Sequence, residues 1–232
     1  MTRERWMLGR RGGGVAGLAL ALLWTPMALV IPEFPDLAGP AGVGAYYAEH
    51  ADAMKLVLCS ASLGFVAFLI FLGELIAELI PRRSAWTWSA LASALMFMTA
   101  LCVAFGVVAA AVLGFERASP EAVWLAHAVA FLLAAPAAAA GTTFFIAVAV
   151  LAFDGLWPHG FGWLSAVGAV VNLAALAGFF SLTGAPNSGN GLLGGMAGPV
   201  AIWVMWIVAV SVHWLRHPRS PATHREAVTA AN

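Results

Sequence analysis

Residues 45–83 read AYYAEHADAMKLVLCSASLGFVAFLIFLGELIAELIPRR, and the reading of this stretch decides the fold. It opens polar, passes into an unbroken apolar run and ends in acid, proline and base. Ser60, Gly64, Ala67, Phe71, Glu74 and Glu78 recur at spacings of four and three, which places them on one stripe of a helix. The intervening positions are mostly Leu, Val, Ile and Phe, suited to lipid or to an apolar neighbour. Small residues on a stripe let a second helix approach closely, and here the same stripe carries the carboxylate of Glu74.

The rest of the chain has the same character. Of its 232 residues 62% are hydrophobic and 9% are charged, and the mean hydropathy is +0.90. A soluble domain carries roughly 25% charged residues, so this composition cannot clothe a water-facing surface. It predicts an all-α integral membrane protein, a six-helix transmembrane bundle. Runs able to cross a bilayer of ~20 residues' thickness are expected at about 15–31, 54–80, 86–113, 122–153, 161–182 and 196–214. Residues 1–215 then form a single membrane domain and 216–232 a flexible cytoplasmic tail.

Orientation follows from charge. An even number of spans puts both ends on one side, and that side holds nine of the eleven basic residues, with Arg10, Arg11, Arg82, Arg83 and Arg216 among them. The positive-inside rule makes it the cytoplasm, and the expected location is the cytoplasmic membrane of a bacterium. Trp86, Trp88, Trp157, Trp163 and Trp214 are expected as an aromatic belt on the inner face, and Trp124 on the outer. The basic start followed by an apolar run resembles a secretory leader. No small-residue cleavage site follows the run, so an uncleaved first span is expected.

Local signals refine the pattern. Ser119-Pro120-Glu121 reads as a helix start, with serine at the cap and proline at the first helical position. Pro136 and Gly141 predict a kink in the fourth span. The stretch GAPNSGNGLLGGMAGP, residues 184–199, reads as a flexible, uncharged loop. Its match to G-x-G-x-x-G at residues 189–194 lacks a preceding strand and carries no nucleotide site.

Intramembrane polar residues are the place to look for function, because they are costly in lipid. Glu74 reads either as a packing carboxylate that meets Arg82, Arg83 or a neighbouring helix end, or as a proton or cation site. Glu78, four before Arg82, reads as an ordinary helix-end pair. His127 and His213 fall near opposite faces, too far apart to ligate one haem iron. His127 is expected to bond across helices and His213 to anchor at the interface. Asn172, in a stripe with Ser165, Gly168, Ala175 and Phe179, is expected to bond a neighbouring helix. Tyr46, Tyr47 and His50, ahead of the second span, read as interface anchors or as an extracellular contact surface. The fourth span has no serine, which removes a rhomboid-like protease. Cys59 and Cys102 sit in apolar runs and make neither a disulfide framework nor a zinc spacing.

The AYYAEH segment feeding a long helix that ends FLGELIAEL resembles a family of small, uncharacterised six-span membrane proteins common in high-GC Gram-positive bacteria, over residues 44–80. The resemblance implies a six-span architecture and brings no activity, cofactor or catalytic residue. The expected function is a non-enzymatic accessory or structural membrane component. The alternative is a small-solute or ion transporter or channel subunit using Glu74 and Asn172. A membrane redox or haem protein is the third. The expected companions are the lipid bilayer and either a membrane-protein partner or a second copy, with no nucleic acid, metal or cofactor.

Overall fold

The computed structural model describes residues 9–30 and 39–218. Among them there is no strand. The elements are α1 (Gly9–Val30), α2 (Pro40–Leu79), α3 (Ala85–Gly114), α4 (Pro120–Leu132), α5 (Ala134–Phe153), α6 (His159–Ala174) and α7 (Ala197–Arg216), with 3-10 turns at Ile80–Arg82 and Ala175–Phe179. Five stretches are long and apolar enough to cross a membrane: Pro40–Arg82, Ala85–Gly114, Pro120–Phe153, His159–Phe179 and Ala197–Arg216. The flexible tail expected at 216–232 lies, from residue 219 on, outside the described residues.

The helices pack as a ring. α1 lies between α2 and α7, α5 lies between α3 and α6, and α2–α3 and α6–α7 contacts close the circle, with α4 against α2 and α3. The small-residue stripe of α2 is buried from Gly64 to Glu78 and faces α1. There Ser60 Oγ donates to the Leu23 carbonyl at 2.6 Å, and Trp24 Nε1 donates to the Ala61 carbonyl at 3.3 Å. A β-carbon on Gly64 would collide with the Trp24 indole, so the glycine is what seats the tryptophan. Leu56, Leu63, Val66 and Leu69 on the other side of α2 are exposed, as lipid-facing residues should be.

Caps and breaks follow local chemistry. Ser119 caps α4 as expected, accepting from the Ala122 N–H at 3.2 Å with Pro120 at the first turn. Ser84 caps α3 through the Thr87 N–H at 3.1 Å. Pro81 ends α2, and the chain leaves through Arg83 at φ 47°. The expected fourth span is two helices, α4 and α5, broken at Leu133. Pro136 explains the position, because it offers no N–H to Leu132 and its ring crowds that carbonyl. The second span starts earlier than its apolar run: α2 has 40 residues, about 60 Å at 1.5 Å per residue. That is twice a bilayer core, and the polar 45–55 segment is its first part. The fifth span tightens into a 3-10 turn at Ala175 and ends at Phe179.

An aromatic layer fills the middle of the ring. Trp203 stacks between Phe97 (4.6 Å) and Phe144 (4.3 Å), and Trp206 meets Phe144 edge-on at 5.0 Å. Phe71 packs on Trp214 at 5.0 Å and on Trp206 at 6.3 Å. Trp157 and Trp214 are 4% and 0% exposed and so are core residues, correcting their place in the expected belt. Trp86, Trp88 and Trp163 are exposed as a belt requires. The difference lies in which side of the helix each occupies, since all five sit near helix ends.

Candidate functional site

Three groups of buried polar side chains stand at different levels of the bundle. The first lies at the basic end, where α1, α2 and α7 meet. Arg10 forms a two-pronged pair with Glu78, Nη2 to Oε1 at 2.7 Å and Nε to Oε2 at 3.1 Å. Its Nη1 donates to the His217 carbonyl at 2.9 Å, just past the end of α7. One guanidinium thus ties three helices and neutralises the negative end of a helix dipole. The expected Glu78–Arg82 pair does not form: the Ile80–Arg82 turn takes Arg82 off the i+4 row, and Arg82 reaches the Asp154 carbonyl instead, at 3.4 Å.

Glu74 is one turn further in and 9% exposed. It lies against α1 and α7: a β-carbon on Gly13 would stand 2.6 Å from Glu74 Cβ and 3.2 Å from the Trp214 ring. Ser211 meets α1 at Gly17 in the same seam. Glu74 therefore faces a neighbouring helix and not lipid, and that neighbour is α1.

The second group is in the middle. Asn172 is fully buried, and its Nδ2 donates to the Gly168 carbonyl of its own helix at 2.9 Å. This corrects the expected bond to another helix, for a side-chain amide four residues on reaches its own carbonyl first. Its Oδ1 lies over Gly141 of α5, where any β-carbon would overlap it, and Trp203 Nε1 is 3.2 Å from the same point. Neither Asn172 Oδ1 nor Trp203 Nε1 has a hydrogen-bond partner among the described residues. Ser165, on the same face of α6, accepts from Trp206 Nε1 at 3.1 Å. Of the expected stripe, Ser165, Gly168, Asn172 and Ala175 are buried. Phe179 is 57% exposed, because the 3-10 turn changes the period.

The third group is at the far end. Tyr47 Oη and His127 Nδ1, both fully buried, share a hydrogen bond of 2.7 Å between α2 and α4, the cross-helix role expected of His127. Tyr46 is 6% exposed and stacks on His50 at 4.6 Å. Tyr46 and Tyr47 are thus interior residues, correcting their reading as a contact surface; of the three only His50 is partly open. His213 sits in the last turn of α7 against Phe161 (5.3 Å) and His217 (4.6 Å). His127 belongs to the α2–α4 junction and His213 to the last turn of α7.

Glu74 and Asn172 are likewise kept apart. By helix rise Glu74 is about 8 Å from the basic end along α2, and Asn172 about 20 Å along α6. Phe71, Trp206 and Phe144 pack edge to edge in the same core. A cavity of about 40 Å³ is lined by Met27, Met54, Val57, Phe105, Phe131 and further apolar side chains, and one of about 10 Å³ lies beside Phe97 and Gly194; neither reaches Glu74 or Asn172. Among the described residues no three His, Cys, Asp or Glu side chains are grouped to hold a metal ion. No protein family, curated protein or solved structure matches the chain.

Sequence reasoning misses the structural role of Arg10, which reads only as a topology charge, and of Asn187, which organises the loop before α7. The signal for Arg10 was present as an acid on the buried stripe, Glu78, at the same membrane face.

Proposed function

We propose that the chain is a six-span protein of the bacterial cytoplasmic membrane, with both ends in the cytoplasm, that acts as a non-enzymatic accessory or structural component through helix and loop contacts. In this reading it is grouped with the small six-span proteins that residues 44–80 resemble. The observation that carries it is the use of buried polar groups as internal ties: Arg10 with Glu78, Tyr47 with His127, Ser60 with the Leu23 carbonyl and Trp206 with Ser165. Each joins two helices, and aromatic packing fills the space between the levels. α1 supplies Ala16, Leu20, Trp24 and Met27 to the core, which supports its retention as the first span. Purification of the native assembly in mild detergent tests the reading. A co-purifying membrane protein, or a stable homo-oligomer, is the expected result; a monomer that alone conducts protons or cations in vesicles overturns it.

A second reading, a small-solute or ion pathway through Glu74 and Asn172, is favoured by one observation. Asn172 Oδ1 and Trp203 Nε1 are a buried acceptor and a buried donor converging on the bare backbone of Gly141. Flux in vesicles that Glu74→Gln and Asn172→Leu each abolish would establish it.

A further inference from the structure

The segment 180–196, between the 3-10 turn and α7, differs from an ordinary loop that faces water. Asn187 and Ser188 turn inward, while Thr183 and Asn190 stay exposed. Asn187 is 2% exposed and Ser188 0%. Asn187 Oδ1 accepts from the N–H groups of Gly189 (2.8 Å) and Asn190 (3.0 Å), and its Nδ2 donates to the Gly184 carbonyl and to Asn190 Oδ1, both at 2.9 Å. Backbone groups are paired within the loop as well: Leu193 N–H to the Ala185 carbonyl at 2.9 Å and Gly195 N–H to the Gly191 carbonyl at 2.9 Å. Around Asn187 the loop is thus tied within itself, and internal hydrogen bonding of this kind is what lipid demands of a backbone.

Apolar side chains turn outward. Phe180 is 86% exposed and Leu192 90%, with Phe179 at 57% and Leu193 at 52%. Gly178 lies against both Ser188 and Gly194, which brings the two pairs to one surface. That surface continues the exposed row of α6, Trp163, Val167, Val170 and Leu173. Charge is absent too: no Asp, Glu, Lys or Arg occurs anywhere in residues 155–215. At the same end of the bundle, the start of α2 carries Glu49, Asp52 and Lys55 on its exposed side, with an Asp52–Lys55 pair at 2.8 Å. Water-facing structure at this end is charged, and this loop is not.

We propose that the loop is a membrane-embedded cap, in which Phe179, Phe180, Leu192 and Leu193 enter the lipid leaflet opposite the arginine-rich face, at the boundary of headgroups and acyl chains. The occupant of the patch is lipid, because the patch prolongs a lipid-facing helix row, carries no charge and lies on a loop whose Asn187 amide is bonded from within. The inference rests on the membrane reading above.

The test uses the full chain with Cys59→Ser and Cys102→Ser, bearing Leu192→Cys labelled with an environment-sensitive fluorophore, in vesicles of phosphatidylcholine and phosphatidylglycerol. Leu192 is exposed, so its replacement leaves the packing intact. Lipids brominated near the headgroup should quench the label at least twofold, while iodide in the water has little effect; for the mid-span position 170 the bromines are placed near the middle of the acyl chain. A parallel label at Val170→Cys, on the α6 row, separates the two ideas. If bromolipid fails to quench at 170, the membrane reading itself falls. If it quenches at 170 while 192 answers to iodide, the cap alone is overturned. Protection of 192 from both quenchers would mean that protein covers the patch, which also overturns the cap.

Discussion

Arg10 and Glu78, 68 positions apart, meet in a two-pronged ion pair whose carboxylate side is 4% exposed and whose guanidinium side is 19% exposed. The pair fixes the first helix against the second, and the third prong, to the His217 carbonyl, holds the seventh. Arg10→Met takes the two-pronged partner from the buried Glu78 carboxylate, with a cost on the order of 3 kcal/mol. A matched apolar pair, Arg10→Met with Glu78→Leu, should recover most of it. Thermal unfolding in detergent, read as a double-mutant cycle, checks both. Additive losses would show that the pair does not couple the helices.

Gly141→Ala should be among the most damaging single-methyl changes in the chain. The added carbon overlaps Asn172 Oδ1 and stands close to Trp203 Nε1, and overpacking of this kind costs about 1–3 kcal/mol. Gly73→Ala, on the exposed side of α2 with nothing within 4 Å, should be neutral or stabilise by roughly 0.5–1 kcal/mol through helix propensity. Equal melting temperatures for the two variants would contradict this placement of Asn172.

Tyr47→Phe removes one hydroxyl and leaves the His127 ring in place. The expected loss is about 1–3 kcal/mol, the cost of stranding a buried polar partner. The effect should fall on the junction of α2 and α4, so hydrogen exchange should quicken in residues 43–50 and 124–131 ahead of the rest. Uniform acceleration over all helices would refute a local tie.

Glu74→Gln should accumulate and melt like the parent, since the amide keeps the shape packed against α1. Glu74→Leu should lower stability by about 1–3 kcal/mol if the carboxylate serves as a hydrogen-bonding group in the seam. Indistinguishable Gln and Leu variants would reduce Glu74 to a space-filler.

Topology reporters at Arg83, Gly155 and Asn232 should read cytoplasm, and those at Gly39, Ala118 and Gly184 the opposite side. Intact mass of the purified chain should retain residues 1–31. A reversed reporter, or a mass short by about thirty residues, would break the proposed six-span arrangement.

Much of this bundle was legible in the sequence because lipid simplifies the signal. Length and hydropathy located α3 and α7 to within two residues at each end, and the 3–4 spacing from Gly64 to Glu78 identified the buried face of α2 before any partner was known. What escaped depended on which helix stood opposite. Trp86 and Trp214 both lie at helix ends, and only the packing of Phe71 tells a core indole from a lipid-facing one. Spacing offers Glu78 only Arg82, and the turn at Pro81 takes that arginine off the row, leaving Arg10 of another helix as its partner. Asn187 gave only a turn signal, which marks a loop without saying that it is ordered.

The seating of α1 between α2 and α7 has a consequence for the order of assembly. The α1 face carrying Gly13, Gly14 and Gly17 is complete only when Ser211 and Leu215 arrive, and these are among the last helical residues to be made. A nascent chain can pair α1 with α2 early, but the ring must wait, with a glycine-lined furrow open along α1, until synthesis reaches α7. Closure therefore joins residues some two hundred positions apart in a single late step. Such long-range contacts make folding slow, and until then the furrow is a landing place for any helix of similar shape.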